Sequence, residues 1–259
     1  MTILDQLADH ARLRVSLRKE QVSSEEMRAR ARDLANQSFS FEKALEADPD
    51  IAFICECKKA SPSKGLIAPE FPYLQIAKDY EAAGADAISV LTEPKWFLGA
   101  DEYLKEIASE VSIPCLRKDF TVDPYMIYEA KVLGASAVLL IMSILPEMTA
   151  AEYLKIADSL GLSALVEAHN EEEVKAAVRI GARVIGVNNR NLKDFSVDTE
   201  NSRKLRDLIP HDVLFVSESG VSTADDVRLL REIGADAVLV GETLMRSSDK
   251  TEKLKELRG

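Results

Sequence analysis

The most constraining feature of the sequence is a pattern that occurs four times along the chain. Each copy is a Gly-Ala pair followed by a short run of apolar residues, and the glycines are Gly84, Gly134, Gly181 and Gly234. Glycine suits the left-handed conformation that ends many helices. A continuous run of Val, Ile, Leu and Ala is typical of a strand buried on both faces of a parallel sheet. The pattern therefore predicts a repeated unit in which a helix ends and a buried strand begins.

Further apolar segments lie between these copies, at residues 51–57, 113–116, 163–166 and 213–216. Together the two sets predict eight strands, with a helix after each. Helix starts are indicated by a capping-box pattern at Thr149 and by Asn170, which precedes three glutamates. This is the organisation of a (β/α)₈ TIM barrel. A doubly wound sheet would carry Gly-x-Gly-x-x-Gly after its first strand, and that motif is absent.

The repeat does not extend to the first 50 residues. They contain charged segments of helical character at 4–19 and 24–35, without the Gly-Ala pattern. We therefore expect one TIM-barrel domain over residues 1–259, in which 51–259 form the barrel and 1–50 form an N-terminal helical extension packed on it.

Polar residues interrupt the apolar pattern where the predicted strands end. They include Glu56 and Lys58, Lys118, Glu167, Asn188 and Ser219. TIM barrels carry their active sites at the carboxyl ends of the strands. Side chains alternate between the two faces of a strand, so Glu56, Lys58 and Lys118 can all point into the barrel mouth. We predict that these polar residues share one pocket.

The same alternation places Cys55, Cys57 and Cys115 on the outer face of the barrel, against the helices. Buried cysteine packs there as a small apolar residue. The three histidines are scattered and the cysteines lack paired spacing. We therefore expect reduced thiols and no metal site.

The loops after the seventh and eighth predicted strands contain Ser219-Gly220 and Gly241-Glu242-Thr243. Each precedes a predicted helix, whose first N–H groups attract anions. TIM barrels often bind phosphate in these two loops. The pattern favours a phosphate site there, although ordinary tight turns would give a similar sequence.

The segments at the strand ends resemble indole-3-glycerol phosphate synthases over nearly the whole chain. The most specific segment is 56–65, ECKKASPSKG. Six further segments follow in order: 91–99 LTEPKWFLG, 116–120 LRKDF, 165–169 LVEAH, 186–192 GVNNRNL, 216–221 VSESGV and 240–245 VGETLM. The resemblance implies a carboxy-lyase of tryptophan biosynthesis. It would close the ring of 1-(2-carboxyphenylamino)-1-deoxyribulose 5-phosphate, release carbon dioxide and water, and need no cofactor.

The resemblance also implies catalytic roles for individual residues. Lys118 resembles the general acid of ring closure, and Glu167 its acid–base partner. Lys58 resembles the lysine that holds the substrate carboxylate, and Glu56 the carboxylate that orients the lysines. The remaining catalytic candidates, which hold substrate hydroxyls, are Asn188 and Ser219.

Substrate-binding roles are implied for a second set of residues. A phosphate site would include Ser61, Arg190, Gly220, Gly241 and Thr243, with Arg190 beside Glu56 as well. The anthranilate ring would lie against Phe97, Phe120 and Leu192.

A lysine acts as a general acid most effectively when its pKa is near the working pH, whereas free lysine titrates at about 10.4. We hypothesise that burial and the nearby Lys58 lower the pKa of Lys118, against the opposing effect of Glu56 and Glu167.

Three other functions use similar features. Phosphoribosylanthranilate isomerase uses a cysteine at the end of its first strand, but the cysteines here are predicted to face outward. A Schiff-base aldolase usually has a lysine on its sixth strand, where this chain has Asn188. A non-catalytic sugar-phosphate sensor would not need the acid–base set.

Composition limits the partners. The chain has 33 Lys and Arg against 44 Asp and Glu, a formal net charge of −11. This balance argues against nucleic acid and anionic membranes. No apolar run reaches the roughly 20 residues needed to cross a bilayer, and the N-terminus lacks the features of a signal peptide. We expect a cytoplasmic protein that acts on a small molecule as a monomer, or at most as a weak dimer.

Overall fold

The computed structural model describes residues 2–36, 38–191 and 195–259. Within these residues, the barrel strands are β1 (Ala52–Cys57), β4 (Ala87–Leu91), β5 (Cys115–Lys118), β6 (Ala137–Ile141), β7 (Ser163–Ala168), β8 (Val184–Asn188), β9 (Leu214–Glu218) and β10 (Ala237–Val240). These parallel strands close a barrel in the order β1-β10-β9-β8-β7-β6-β5-β4. A small antiparallel hairpin, β2 (Ala60–Ser61) with β3 (Gly65–Leu66), follows β1. The predicted TIM barrel is confirmed.

Helices alternate with the strands around the barrel. They are α4 (Tyr73–Ala82), α5 (Asp101–Glu110), α6 (Pro124–Val132), α7 (Glu147–Ser159), α8 (Glu171–Arg179), α9 (Glu200–Arg206), α10 (Ala224–Glu232), α11 (Glu242–Arg246) and α12 (Lys250–Arg258). Before the barrel come α1 (Ile3–Gln21), α2 (Ser24–Arg32) and α3 (Ser40–Ala47). No helix in the described residues is both long enough and apolar enough to cross a membrane.

β1 completes the ring because it pairs on both edges. Ile54 is opposite Leu239 of β10 and also opposite Ala87 of β4. Ile54, Leu239 and Ala87 belong to the apolar group inside the barrel. The residue two positions after Ile54 is Glu56, so strand alternation directs it into the barrel mouth. A buried apolar interior therefore leads directly to a polar end.

The outer face of the barrel packs against the helices. Cys55, Cys57 and Cys115 are buried in this outer layer, as the alternation predicts. Burial raises the pKa of Cys115 to about 12, so its thiol stays protonated at neutral pH. The cysteines have a packing role.

The helix-end signals were largely correct. The four repeat glycines all have positive φ, between 74° and 89°. Asn170 is the N-cap of α8 and accepts a hydrogen bond from the N–H of Glu173. The capping box predicted at Thr149 is wrong, because α7 begins directly after Pro146 and already includes Thr149. The fixed φ of proline suits a helix start and sets this earlier boundary.

The segments before β1 cover both ends of the barrel. Leu4 and Leu7 of α1 belong to the same apolar group as Phe120, at the carboxyl ends of the strands. α3, which the sequence reading did not identify, places Phe41 and Leu45 against the interior residues at the opposite end. The N-terminal segment therefore completes the apolar core and also forms part of the barrel mouth.

Candidate active site

A cavity of about 720 Å³ opens at the carboxyl ends of the barrel strands. Every catalytic and binding residue expected from the sequence lines it, apart from Leu192, which lies outside the described residues. Those lining residues are Glu56, Lys58, Ser61, Phe97, Lys118, Phe120, Glu167, Asn188, Arg190, Ser219, Gly220, Gly241 and Thr243. The structure thus brings together side chains that are almost 190 residues apart in sequence.

Lys118 lies at the centre of the charged groups. Its Nζ donates hydrogen bonds to Oε2 of Glu167 at 2.8 Å and to Oε2 of Glu218 at 3.0 Å. Both carboxylates are buried, and the Lys118 side chain is 13% exposed. Strands β5, β7 and β9 hold these three groups at fixed separations.

The surroundings of Lys118 overturn the hypothesis of a lowered pKa. Burial alone disfavours the ammonium, but the charges of Glu167, Glu218 and Glu56 outweigh burial and raise the pKa of Lys118. Lys58 does not reverse this, because it forms its own ion pair with Glu56 at 2.6 Å. Lys118 is therefore an ammonium at neutral pH.

The two carboxylates on Lys118 have different electrostatic surroundings. Burial favours the neutral form of both. For Glu167, the charges of Lys118 and His169 prevail and hold the pKa well below its usual range. For Glu218, burial and repulsion from Glu167 and Glu56 outweigh the attraction of Lys118 and raise the pKa to about 7. The pocket thus offers one carboxylate that stays ionised and another that can carry a proton.

Gly241 provides room for the Glu56–Lys58 pair. A Cβ at position 241 would lie 2.4 Å from Oε1 of Glu56 and 2.9 Å from Nζ of Lys58. Real Cβ atoms do not approach other atoms this closely, so a larger residue would displace the pair. The absence of a side chain at Gly241 therefore serves the charged pair as well as the cavity.

Asn188 and Arg190 follow β8 on the same side of the cavity. Nδ2 of Asn188 donates to Oε1 of Glu167 at 3.2 Å, and Oδ1 of Asn188 accepts from the N–H of Arg190 at 3.0 Å. Nη1 of Arg190 donates to the carbonyl of Phe195 at 3.2 Å. The expected position of Arg190 beside Glu56 is not observed: in the described part of the chain, the ion-pair partner of Glu56 is Lys58. Arg190 instead contacts the loop that follows β8.

Phe97 and Phe120 form an apolar wall of the cavity, with ring centroids 6.0 Å apart. The loop that carries Phe97 is held by Glu93, whose buried carboxylate accepts hydrogen bonds from the N–H groups of Lys95, Trp96 and Phe97 at 2.7–3.0 Å. The wall is therefore fixed by buried polar contacts.

The loops after β9 and β10 line another part of the cavity. The hydroxyl of Thr243 donates to the carbonyl of Val221 at 2.6 Å and so joins the two loops. Just before α10, Asp226 accepts hydrogen bonds from the N–H groups of Ser222 and Thr223. These contacts fix the start of α10 against the loop that follows β9.

The chain matches the family model "Indole-3-glycerol phosphate synthase" over residues 4–257. Proteins named indole-3-glycerol phosphate synthase from Ruminiclostridium cellulolyticum and Leuconostoc mesenteroides are 60% and 51% identical to it, and each alignment covers 99% of both chains. The chain belongs to the indole-3-glycerol phosphate synthase family. Family membership confirms the activity expected from the motifs, a carboxy-lyase of tryptophan biosynthesis that acts on a small molecule.

Solved structures of other proteins share the barrel. A 3-hexulose-6-phosphate synthase from Salmonella typhimurium aligns with a TM-score of 0.66 at 13% identity, covering 80% of this chain and 96% of its own. A tryptophan synthase α2β2 complex from Pyrococcus furiosus aligns with a TM-score of 0.60 at 17% identity, covering 82% and 98%. At these identities the likeness extends to the fold alone.

The cavity also contains residues to which the sequence analysis assigned no role. Glu218 lies inside the motif at 216–221, and its inward direction follows from Val216, which faces the barrel interior. Lys64 and Arg246 also line the cavity, and each forms an ion pair with Glu242. Strand alternation was a signal for Glu218, whereas the two cations lie on a loop and a short helix, where no such periodicity applies.

A metal centre has no support in the part of this synthase-family chain that the structure describes. In residues 2–36, 38–191 and 195–259, no group of three or more His, Cys, Asp or Glu side chains is arranged to hold a metal ion. Several charged groups of the cavity pair with one another, as Lys58 does with Glu56 and Lys118 with Glu167 and Glu218.

Proposed function

We propose that this chain forms indole-3-glycerol phosphate in the cavity described above, with Lys118 as the general acid. The observation that supports this role most directly is the position of Lys118 between the buried carboxylates of Glu167 and Glu218. The raised pKa keeps the side chain protonated, which is the state a proton donor must have before reaction.

The walls of the cavity suggest how the substrate lies. We place its aromatic ring against Phe97 and Phe120, and its carboxylate near the ammonium of Lys58. Aromatic rings pack favourably when their centroids are roughly 4.5–7 Å apart, and these walls allow such a separation. This orientation leaves the keto carbon of the sugar chain near Lys118.

We place the phosphate at the loops after β9 and β10. The residues that the motifs imply for the phosphate, Ser61, Gly220, Gly241 and Thr243, line the cavity. Positive charge comes from Arg190 and from the cations of the ion pairs with Glu242. The net charge of −11 does not oppose binding strongly, because exposed charges beyond about 8 Å are largely screened at physiological ionic strength.

Ring closure and decarboxylation require one proton transfer to the substrate. The ring carbon that bears the carboxylate attacks the keto carbon, and the ketone oxygen takes a proton from Lys118 as it becomes a hydroxyl. Carbon dioxide then leaves, and its bonding electrons restore the aromatic ring. We propose that Glu56 keeps Lys58 directed at the carboxylate in the starting complex, through their 2.6 Å ion pair.

Dehydration completes the reaction. Glu167 removes a proton from the carbon next to the ring nitrogen, while the hydroxyl formed from the ketone leaves as water with a proton from a lysine, Lys58 or Lys118. The low pKa of Glu167 keeps it ionised for this role. Asn188 and Ser219 also line the cavity, and we assign them to the hydroxyls of the sugar chain. Glu218, which can carry a proton near neutral pH, is placed to return one to Lys118.

We also propose that the chain works in the cytoplasm as a monomer, or at most a weak dimer, without a nucleic-acid or membrane partner. Its net charge of −11 supports this, because anionic polymers and membranes would repel it. Light scattering coupled to gel filtration tests the proposal. A stable oligomer at micromolar concentration would contradict it.

The decisive experiment is a turnover assay with purified chain and 1-(2-carboxyphenylamino)-1-deoxyribulose 5-phosphate, followed by the absorbance of the indole product. We expect product formation without added metal or cofactor, and its near-complete loss in Lys118→Ala. No product from a folded wild-type chain would refute the proposed function. Full activity in Lys118→Ala would refute the role of that lysine.

A further inference from the structure

His169 lies behind Glu167 as seen from the cavity. It follows the last residue of β7, and its Nε2 is 3.3 Å from Oε1 of Glu167. Its side chain is 13% exposed, and it is not one of the residues that line the cavity. A substrate in the cavity would therefore touch Glu167 and not His169.

The other side of the imidazole ring is held by two polar groups. Nδ1 of His169 is 3.2 Å from Oε2 of Glu173 and 3.1 Å from Oγ of Ser143. Glu173 is fixed in turn, since it accepts hydrogen bonds from the N–H of His169, from Ser143 and from Asn170 at 2.8–2.9 Å. The orientation of the ring is thus set by α8 and by the loop after β6.

These contacts form a series of alternating charges that runs from the first turn of α8 to the centre of the cavity. Its members in order are Glu173, His169, Glu167, Lys118 and Glu218, with successive polar atoms 2.8–3.3 Å apart. Burial lowers the pKa of His169, but Glu167 and Glu173 outweigh burial and raise it to about 10. The imidazole is therefore a cation at neutral pH.

The series explains why the two carboxylates on Lys118 differ. Glu167 has a cation at each oxygen, Lys118 at Oε2 and His169 at Oε1, whereas Lys118 is the one cation paired with Glu218 among residues 2–36, 38–191 and 195–259. When Lys118 gives its proton to substrate, its positive charge is lost. His169 is then the cation that remains next to Glu167.

We propose that His169 is a positioning residue that acts through Glu167. It keeps the carboxylate ionised, turns Oε2 toward Lys118, and supplies the positive charge that stays when Lys118 is deprotonated. The groups that face the ring are Glu167 on β7, Glu173 on α8 and Ser143 after β6, with Lys118 beyond Glu167. This inference rests on the proposed role of Glu167 as a base.

The kinetic test compares His169→Gln with His211→Gln, a matched change at an exposed histidine remote from the cavity. We expect His169→Gln to lower kcat about tenfold at neutral pH. The acid limb of its kcat profile should move to higher pH, because without His169 the pKa of Glu167 rises from well below its usual range toward that range. KM should stay within about twofold, since the residue does not line the cavity, and His211→Gln should match the wild type. A loss of kcat with an unmoved acid limb, or no loss, would overturn the proposal.

A second measurement does not depend on turnover. The chain contains three histidines, so ring ¹⁵N signals can be assigned with single His→Gln variants. We expect the imidazole of His169 to be doubly protonated at pH 8 in the wild type. In Glu167→Gln its pKa should be lower, so the ring should become neutral at a lower pH than in the wild type. A neutral His169 at pH 8 would overturn the proposal whatever the activity. An inactive wild type with a cationic His169 would instead refute the proposed function and leave the His169–Glu167 pairing established.

Discussion

Gly186 leaves the space that the carboxylate of Glu218 occupies. A Cβ at position 186 would lie 2.2 Å from Oε1 of Glu218, which is far shorter than any real contact of a Cβ atom. The two residues are on neighbouring strands, β8 and β9, and both face the barrel interior. A glycine inside a strand here has a specific steric reason, because it permits a buried carboxylate to approach Lys118.

We therefore predict that Gly186→Ala displaces Glu218 and lowers kcat at least tenfold. Steady-state kinetics and thermal denaturation check this. Gly181→Ala is the control: its Cβ would contact nothing within 4 Å, but its φ is +80°. That variant should lose about 1–2 kcal/mol of stability and keep its kcat. Equal kinetic effects in the two variants would contradict the steric explanation.

Removing the ammonium at Lys118 should have the largest effect on catalysis. General acid catalysis contributes about 10²–10⁴-fold, so we expect Lys118→Ala to lose at least 10²-fold in kcat. Lys78→Ala is the control, since Lys78 forms an exposed ion pair with Glu110 on the helix layer. The measurement is kcat for the folded variants. A Lys118→Ala enzyme within a few-fold of the control would show that another group donates the proton.

Glu218→Gln should change how stability depends on pH. The pKa of Glu218 is raised in the folded state to about 7, above the value of about 4.3 for an unfolded chain. Its contribution to stability is therefore complete below pH 4.3 and is lost as pH rises through 7. Glutamine does not titrate, so the Tm of the variant relative to wild type should rise between pH 5 and pH 8. A constant difference in Tm over this range would show that Glu218 is ionised throughout.

Arg14 should anchor α1 over the barrel mouth. Its guanidinium donates two hydrogen bonds to the buried carboxylate of Asp119, at 2.7 and 3.0 Å. Breaking a buried pair costs about 3–5 kcal/mol, and we expect about 3 kcal/mol for Arg14→Ala because Thr92 and Arg117 remain near Asp119. Urea unfolding at pH 7 gives this free energy.

The control for the α1 anchor is Arg12→Ala, which removes an exposed pair with Asp9 on the same helix. Such pairs contribute about 0–1 kcal/mol. Arg14 and Arg117 also outweigh burial at Asp119 and lower its pKa to about 2, so its contribution to stability is present above pH 3.9 and lost as pH falls through 2. In Arg14→Ala this loss should begin at higher pH. Equal stabilities for the two arginine variants would contradict the anchoring role.

Several parts of the site could be predicted from the sequence for a simple reason. Strand alternation has a period of two, so Glu56, Lys118 and Glu167 had to share a direction once the strands were located. The same rule correctly directed the cysteines outward. Strand alternation also directs Glu218 into the barrel mouth. Glu218 was missing from the predicted site because the sequence analysis assigned it no role.

The pKa of Lys118 could not be predicted in this way. Its direction depends on three carboxylates from strands that are far apart in sequence, and on the distances at which they meet. The sequence indicated that both cations and anions would be present, but an interaction that falls with distance needs coordinates. Because Lys58 pairs with Glu56, it does not offset the effect of the carboxylates on the pKa of Lys118.

The sequence by itself determined the barrel, the family and most of the residues at the barrel mouth. These follow from local rules: glycines that end helices, apolar runs that form buried strands, and alternation that sets side-chain direction. Only the tertiary structure decided which groups pair. It placed His169 behind Glu167, gave Arg190 a contact with Phe195 in place of Glu56, and used Thr243 to join two loops. Such pairings depend on a few ångströms between segments that are distant along the chain, and local sequence rules do not contain those distances.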